Sequence, residues 1–214
     1  MKNDARPPYF GKLILAFVLG TLIFCSVFLL GYTISYYKMQ ATSLAQEDLR
    51  YQLLSFQIED ELAGENCQTF NSNRFASEMD RIGSIISLLE ERLGKNNAQV
   101  LNQKKIYSLL EARHFLYVKK HNINCNNSVP IILFFYSNLN GYKDEGNRMG
   151  YMLTTLKNED PTIMIYSFDY DLDSGVTDLI KEQYNITSPD KLVINEVTYV
   201  DNFTDLDAIK QILA

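Results

Sequence analysis

Between Lys12 and Lys38 the chain runs LILAFVLGTLIFCSVFLLGYTISYY without a single charged residue. A helix needs about 20 predominantly apolar residues to cross the hydrocarbon core. A lone segment in lipid must satisfy its own backbone hydrogen bonds, which leaves the α-helix as its conformation. Tyr32, Tyr36 and Tyr37 gather at the far end, where rings with a polar tip favour the headgroup layer. A cleaved signal peptide has a shorter apolar region, about 7–15 residues, ahead of small residues at the cleavage site. Ser43 and Ala45 could imitate such a site, but the run is too long and Lys38 intervenes. The expectation is an uncleaved transmembrane helix over 13–37 that holds the protein to membrane lipid. Lys2, Arg6 and Lys12 before it, against Lys38 and Arg50 after it, favour a cytoplasmic tail at 1–12 and an extracytoplasmic remainder.

Once Lys2, Asp4, Arg6 and Lys12 are set aside, the remaining residues include 17 basic and 25 acidic ones, a net charge of about −8. That balance argues against nucleic acid and against a second, electrostatic grip on anionic lipid. Cys25 falls inside the apolar run, whereas Cys67 and Cys125 fall in the aqueous part. In an oxidising compartment these two can form a disulfide, closing a loop whose chain entropy is worth about 4 kcal/mol. In a reducing compartment they would remain two thiols.

Residues 38–127 read as a helical stalk. Leu49, Leu53 and Phe56 form one stripe with Leu54, Ile58 and Leu62 beside it, stopped by Gly64; that spacing is helical. A second helix carries Met79, Ile82, Ile86, Leu89 and Leu93, with Gly94 as its C-cap, since glycine takes the left-handed conformation cheaply. A third, from about Asn97 to Lys120, sets Leu101, Leu109, Phe115 and Tyr117 among charged residues, and a Cys67–Cys125 bridge would tie this hairpin at its ends. From 128 to 214 the pattern changes. VPIILFFYS and TIMIYSFDYD are short apolar runs that read as buried strands. EGNRMGYMLTTLKNED and SGVTDLIKEQYNI are helical, KLVINEVTYVD holds one or two strands, and TDLDAIKQILA is a final helix. Strand and helix alternate, the order of an α/β domain.

Over roughly 129–214 this order resembles the thioredoxin-like fold. VPIILFFYS resembles the strand before that family's active-site helix, and TIMIYSFDYDLDSGVTDLIKEQYNITSPDKLVI resembles its central stretch, with Tyr184, Ile186 and Pro189 in matching places. The resemblance implies a cis bond before Pro189, which an X–Pro bond tolerates at about 0.5–1 kcal/mol. It also implies a Cys-x-x-Cys at the start of the first long helix, where the helix terminus would favour a thiolate. Here that stretch is YSNLNGYKDEG, from Tyr136 to Gly146, and it has no cysteine. Dithiol exchange at that position is excluded.

Other constellations are weaker. Cys67 and Cys125 could be a displaced redox pair, but Glu59, Asp60, Glu61 and Glu65 lie near Cys67, and negative charge raises a thiol pKa. Asp169, Asp171 and Asp173 alternate like the opening of a calcium loop, yet Gly175 comes one place late and Ile180 stands where the bidentate glutamate belongs. A strand end followed by an acid or Ser174 capping the next helix explains the run better. His114 and His121, seven residues apart, lack the i, i+4 spacing of a helical metal pair and read as solvated or interface residues. Asn126, Asn185 and Asn202 open Asn-x-Ser/Thr sequons, of consequence only on a glycosylating side of the membrane. No residue presents itself as catalytic, cofactor-binding or metal-ligating. The reading is a membrane-anchored, redox-inactive thioredoxin-like module that binds another protein or serves in assembly. A thiol–disulfide accessory protein using Cys67 and Cys125, and a structural subunit of a membrane complex, are its alternatives.

Overall fold

A computed structural model describes residues 9–63, 67, 72–126, 128–201 and 205–213. Most of the expected tail, and the Asn202 sequon, lie outside them. The chain divides into two compact units, Met1–Asp48 and Leu49–Ala214.

Helix α1 (Phe10–Ala63) continues past the apolar run without a break. Its segment Gly11–Ile34 is exposed throughout and is long and apolar enough to cross a membrane. The few hydroxyls there turn back onto the helix: Thr21 donates to the Phe17 carbonyl at 2.8 Å, Ser26 to Ile23 at 2.8 Å and Thr33 to Leu30 at 2.9 Å. A polar group satisfied one turn back presents no unpaired donor to lipid. Further along α1, Tyr51, Leu54 and Ile58 are exposed.

The second unit is mixed helix and sheet. Helices α2 (Ser72–Leu93) and α3 (Ala98–Asn124) form the expected hairpin. Gly94, at φ +88°, ends α2, and Asn97 caps α3 by accepting the Gln99 N–H at 2.9 Å. Cys67 and Cys125 are bonded, with Cα atoms 5.6 Å apart, which fastens Cys67 to the end of α3. The order then runs β1 (Ile131–Tyr136), α4 (Lys143–Glu159), β2 (Met164–Asp169), α5 (Gly175–Gln183), β3 (Lys191–Ile194), β4 (Thr198–Asp201) and α6 (Leu206–Leu213). KLVINEVTYVD thus holds two strands, joined by a tight turn with Asn195 and Glu196 both at positive φ. Two left-handed residues match the twist of a hairpin.

The four-stranded sheet has the order β2-β1-β3-β4. Strand β1 runs parallel to β2 and antiparallel to β3, and β3 is antiparallel to β4. Alternation along each strand sends side chains to two cores. Ile131, Leu133 and Phe135 join Tyr166, Phe168 and Val193 beneath α2, α3 and α5. Ile132 and Phe134 join Leu192 and Ile194 beneath α4 and α6.

Phe135 is fully buried and stacks on Phe168 with ring centroids 5.8 Å apart. Phe135→Ala is expected to destabilise the fold by about 3–5 kcal/mol, whereas Tyr151→Ala, at a site 76% exposed, should stay within about 0.5 kcal/mol. Denaturant unfolding of the detergent-solubilised chain, followed by near-ultraviolet circular dichroism, measures both.

Candidate functional site at the free edge of the sheet

Strand β2 has β1 on one side and no strand on the other. Met164 donates its N–H to the Pro130 carbonyl and Tyr170 donates to Tyr136. Alternate residues in a parallel pair face opposite ways, so Ile165, Ser167 and Asp169 turn their backbone groups to the free side. Beside this edge lies a cavity of about 630 Å³, walled by α2, α3 and α4.

Side chains close the edge. Glu111 of α3 accepts the Ser167 N–H through Oε1 at 2.9 Å, and Lys157 of α4 donates to the carbonyls of Ile163 at 2.6 Å and Pro161 at 2.9 Å. Glu111 is 2% exposed and its Oε2 makes no hydrogen bond. Burial pushes its carboxyl up to about 8, partly opposed by the Ser167 N–H; desolvation penalises the charged form. One turn on, His114 meets the Tyr166 hydroxyl through Nδ1 at 2.8 Å. Burial, with the Lys157 charge adding to it, brings His114 down to about 3. Burial also raises the Tyr107 and Tyr166 hydroxyls.

At the carboxyl ends of β1 and β2 the polar groups form a chain. Lys104 pairs with Asp169 at 2.6 Å and Glu90 at 2.9 Å, its ammonium 5.5 Å from the Tyr136 ring. Burial alone would lower the Lys104 pKa, but Tyr136, Asp169 and Glu90 outweigh it and the ammonium is held charged. Asn138 donates to the same Asp169 oxygen at 2.9 Å and accepts from Lys95 at 2.7 Å. Ser137 donates to Asp171 at 2.5 Å.

These contacts account for the aspartate run. Asp169 belongs to the Lys104 group, Asp171 to Ser137, and Asp173 to Lys105 at 3.0 Å. Ser174 does occupy the N-cap of α5, but its hydroxyl meets Ser108 at 3.2 Å and makes no capping bond. Among the described residues no group of three or more His, Cys, Asp or Glu is placed to hold a metal. His114 is 1% exposed and so is an interface histidine, not a solvated one. Asn126 and Asn185 are exposed in left-handed turns.

The expected cis bond before Pro189 is corrected: no described peptide bond is cis, so Ser188–Pro189 is trans. Asp190, at φ +58°, makes the reversal, and its N–H donates to the Phe135 carbonyl at 2.7 Å. A left-handed residue directly after the proline turns the chain into β3.

Nothing in the sequence singles out Lys104, Tyr107 or Glu111. Their signal was a polar stripe, Lys104, Ser108 and Glu111, recurring at helical spacing on α3 beside Leu110, Phe115 and Val118. Only the position of β2 shows that the stripe is buried.

Two predictions follow from the groups just described. Lys104→Met leaves the buried Asp169 and the partly buried Glu90 without their cation, and should cost about 3–5 kcal/mol in denaturant unfolding. Glu111 has its pKa raised on folding, from an ordinary 4.5 to about 8, so its contribution favours the fold below pH 4.5 and is lost as pH rises towards 8. Glu111→Gln should therefore lose less stability than the wild type between pH 5 and pH 8, read as Tm across that range; parallel profiles would contradict the assignment. Comparison with known proteins finds no family model that matches the chain, and no curated protein or solved structure with significant similarity.

Proposed function

We propose that the chain is a membrane-anchored, extracytoplasmic binding module of thioredoxin-like fold that performs no thiol exchange. The strand order β2-β1-β3-β4, with one parallel pair and two antiparallel ones, supports the fold. The apolar segment Gly11–Ile34 supports the anchor. Lys2, Arg6 and Lys12 ahead of it, together with the Cys67–Cys125 bond, support an oxidising side for the remainder.

One observation carries the binding reading over a redox one. Directly after β1, where redox members of that family hold their nucleophile, stand Ser137 and Asn138, tied to Asp171, Asp169 and Lys95. A hydroxyl and an amide committed to carboxylates offer no nucleophile. The bridged cysteines lie elsewhere and join the stalk to itself. What remains is a rigid, partly polar concave surface, and such surfaces bind.

The test has two arms. Alkylation and mass measurement of the full chain across a graded glutathione series should find Cys67–Cys125 oxidised at potentials where catalytic pairs reduce, about −120 to −270 mV, with no turnover of an added disulfide substrate. Tagged full chain, cross-linked in its native membrane and purified in mild detergent, should bring down a stoichiometric protein partner. Turnover in the first arm, or a chain recovered alone in the second, overturns the proposal.

A further inference from the structure

The cavity beside β2 contains one buried carboxyl group with no cationic partner. Its other charged groups are matched. Lys104 lies between Glu90 and Asp169. Lys157 donates to two carbonyls, and the charge of Asp80 acts on it from α2. Glu111 is left, with Oε1 on the Ser167 N–H and Oε2 making no hydrogen bond. The Tyr107 and Tyr166 rings line the same space, and aromatic faces with a carboxylate attract a desolvated cation. A volume of about 630 Å³ lies within the usual range for ligand sites, about 300–1,000 Å³.

We propose that this cavity receives a cationic side chain, the guanidinium of an arginine or the ammonium of a lysine on the partner protein, and seats it against Glu111. The inference rests on the binding-module reading and names the partner's chemistry. Binding exchanges one charge for another: the carboxylic acid of Glu111 releases its proton to solvent as the cation arrives, leaving a carboxylate paired with it. An anionic ligand would face Asp80, Glu90, Glu111 and Asp169 together. No cation then remains in the cavity to receive it, because Lys104 and Lys157 are already engaged.

A pH signature follows. Glu111 titrates near 8, facing Asp80 and Glu90 on α2, Lys104, Tyr107 and His114 on its own helix, Lys157 on α4, and Tyr136, Tyr166 and Asp169 on the strands. His114 stays neutral well above its value near 3. Loss of the Glu111 proton across pH 7 to 9 turns a neutral group into an anion and so answers to a cation. Apparent affinity scales with the fraction in the competent state, so it should rise about tenfold over that interval.

Isothermal titration of the full chain in nanodiscs tests this, with N-acetyl-arginine amide and N-acetyl-lysine amide as the protein-borne cations and agmatine and butylamine as free ones. Saturable binding of an amide-flanked probe is expected, about tenfold tighter at pH 9 than at pH 7. At pH 7 nearly one proton should be released per probe bound, measured across buffers of different ionisation enthalpy. Glu111→Gln keeps an acceptor for the Ser167 N–H and should weaken binding by at least about tenfold, while Glu91→Gln, at an exposed site on α2, should bind as the wild type does. Gly150→Leu, whose added Cβ meets nothing within 4 Å, should fill the cavity and block binding without touching Glu111. Absence of saturable binding, absence of proton release, or unchanged affinity in Glu111→Gln overturns the site. Tighter binding of the free amines than of the amide-flanked probes overturns the protein-borne source. Should the site fail while the chain still co-purifies with a stoichiometric partner, the module reading stands and the cation site alone is lost.

Discussion

Helix α3 meets strand β2 through polar groups, and the second unit is organised around that contact. A sheet edge exposes a row of backbone donors and acceptors that must be answered. Glu111 answers the Ser167 N–H from α3, and Lys157 answers the Ile163 carbonyl from α4. Because those side chains come from helices on the two faces of the sheet, the edge is clasped from both sides. Lys104, two turns before Glu111, fastens the same helix to Asp169 at the strand's end. The hairpin is thereby located along β2 by two polar contacts, above the apolar core that Leu110, Phe115 and Val118 help to form.

Such a contact is costly, since every charge in it has been taken out of water. Its design keeps the cost down by two different means. Lys104 remains charged because two carboxylates and the Tyr136 ring surround it. Glu111 and His114, lacking such partners, are neutral near pH 7. A protonated carboxyl and a neutral imidazole can both be hydrogen-bonded in a dry interface at far smaller expense than their ions. They respond to pH in opposite senses, which confines the interface's best stability to the mildly acidic to neutral range.

How much of this the sequence made legible depended on the scale of the feature. The 25-residue uncharged run, the hairpin ending at Gly94, and the alternation of strands and helices after Ser128 rest on local periodicity and composition, and each element appears where that pattern places it. The Cys67–Cys125 pair could be anticipated by excluding Cys25 from the aqueous part. Pairing between strands is a long-range property, so local pattern alone does not set the antiparallel placement of β3 and β4. The polar stripe of α3 was the hardest to interpret. Lys104 and Glu111 belong to residue types that are almost never fully buried unless paired, and their partners on β2, Asp169 and Ser167, lie more than 50 residues away. The turn at Pro189 is long-range in the same way: the left-handed Asp190 that follows it donates its N–H to the Phe135 carbonyl across the loop.

Glycine placement determines where the concave surface lies. At the start of α4, a Cβ on Gly146 would come within 3.0 Å of Asp190 Oδ1, so the helix start and the loop leading into β3 are packed together. Neither Asn138 nor Pro189 lines the cavity at the β2 edge. At the β2 edge the opposite holds. Gly150 on α4 has open space where its side chain would be, and Gly83 on α2 leaves room for the Tyr107 hydroxyl, 3.3 Å from where its Cβ would sit. The absence of side chains at these two positions opens a space between α2 and α4 whose floor is α3 and the strand edge. At the strand ends Ser137 and Asn138 are tied to carboxylates, whereas at the sheet edge the buried carboxyl of Glu111 keeps one oxygen without a hydrogen bond.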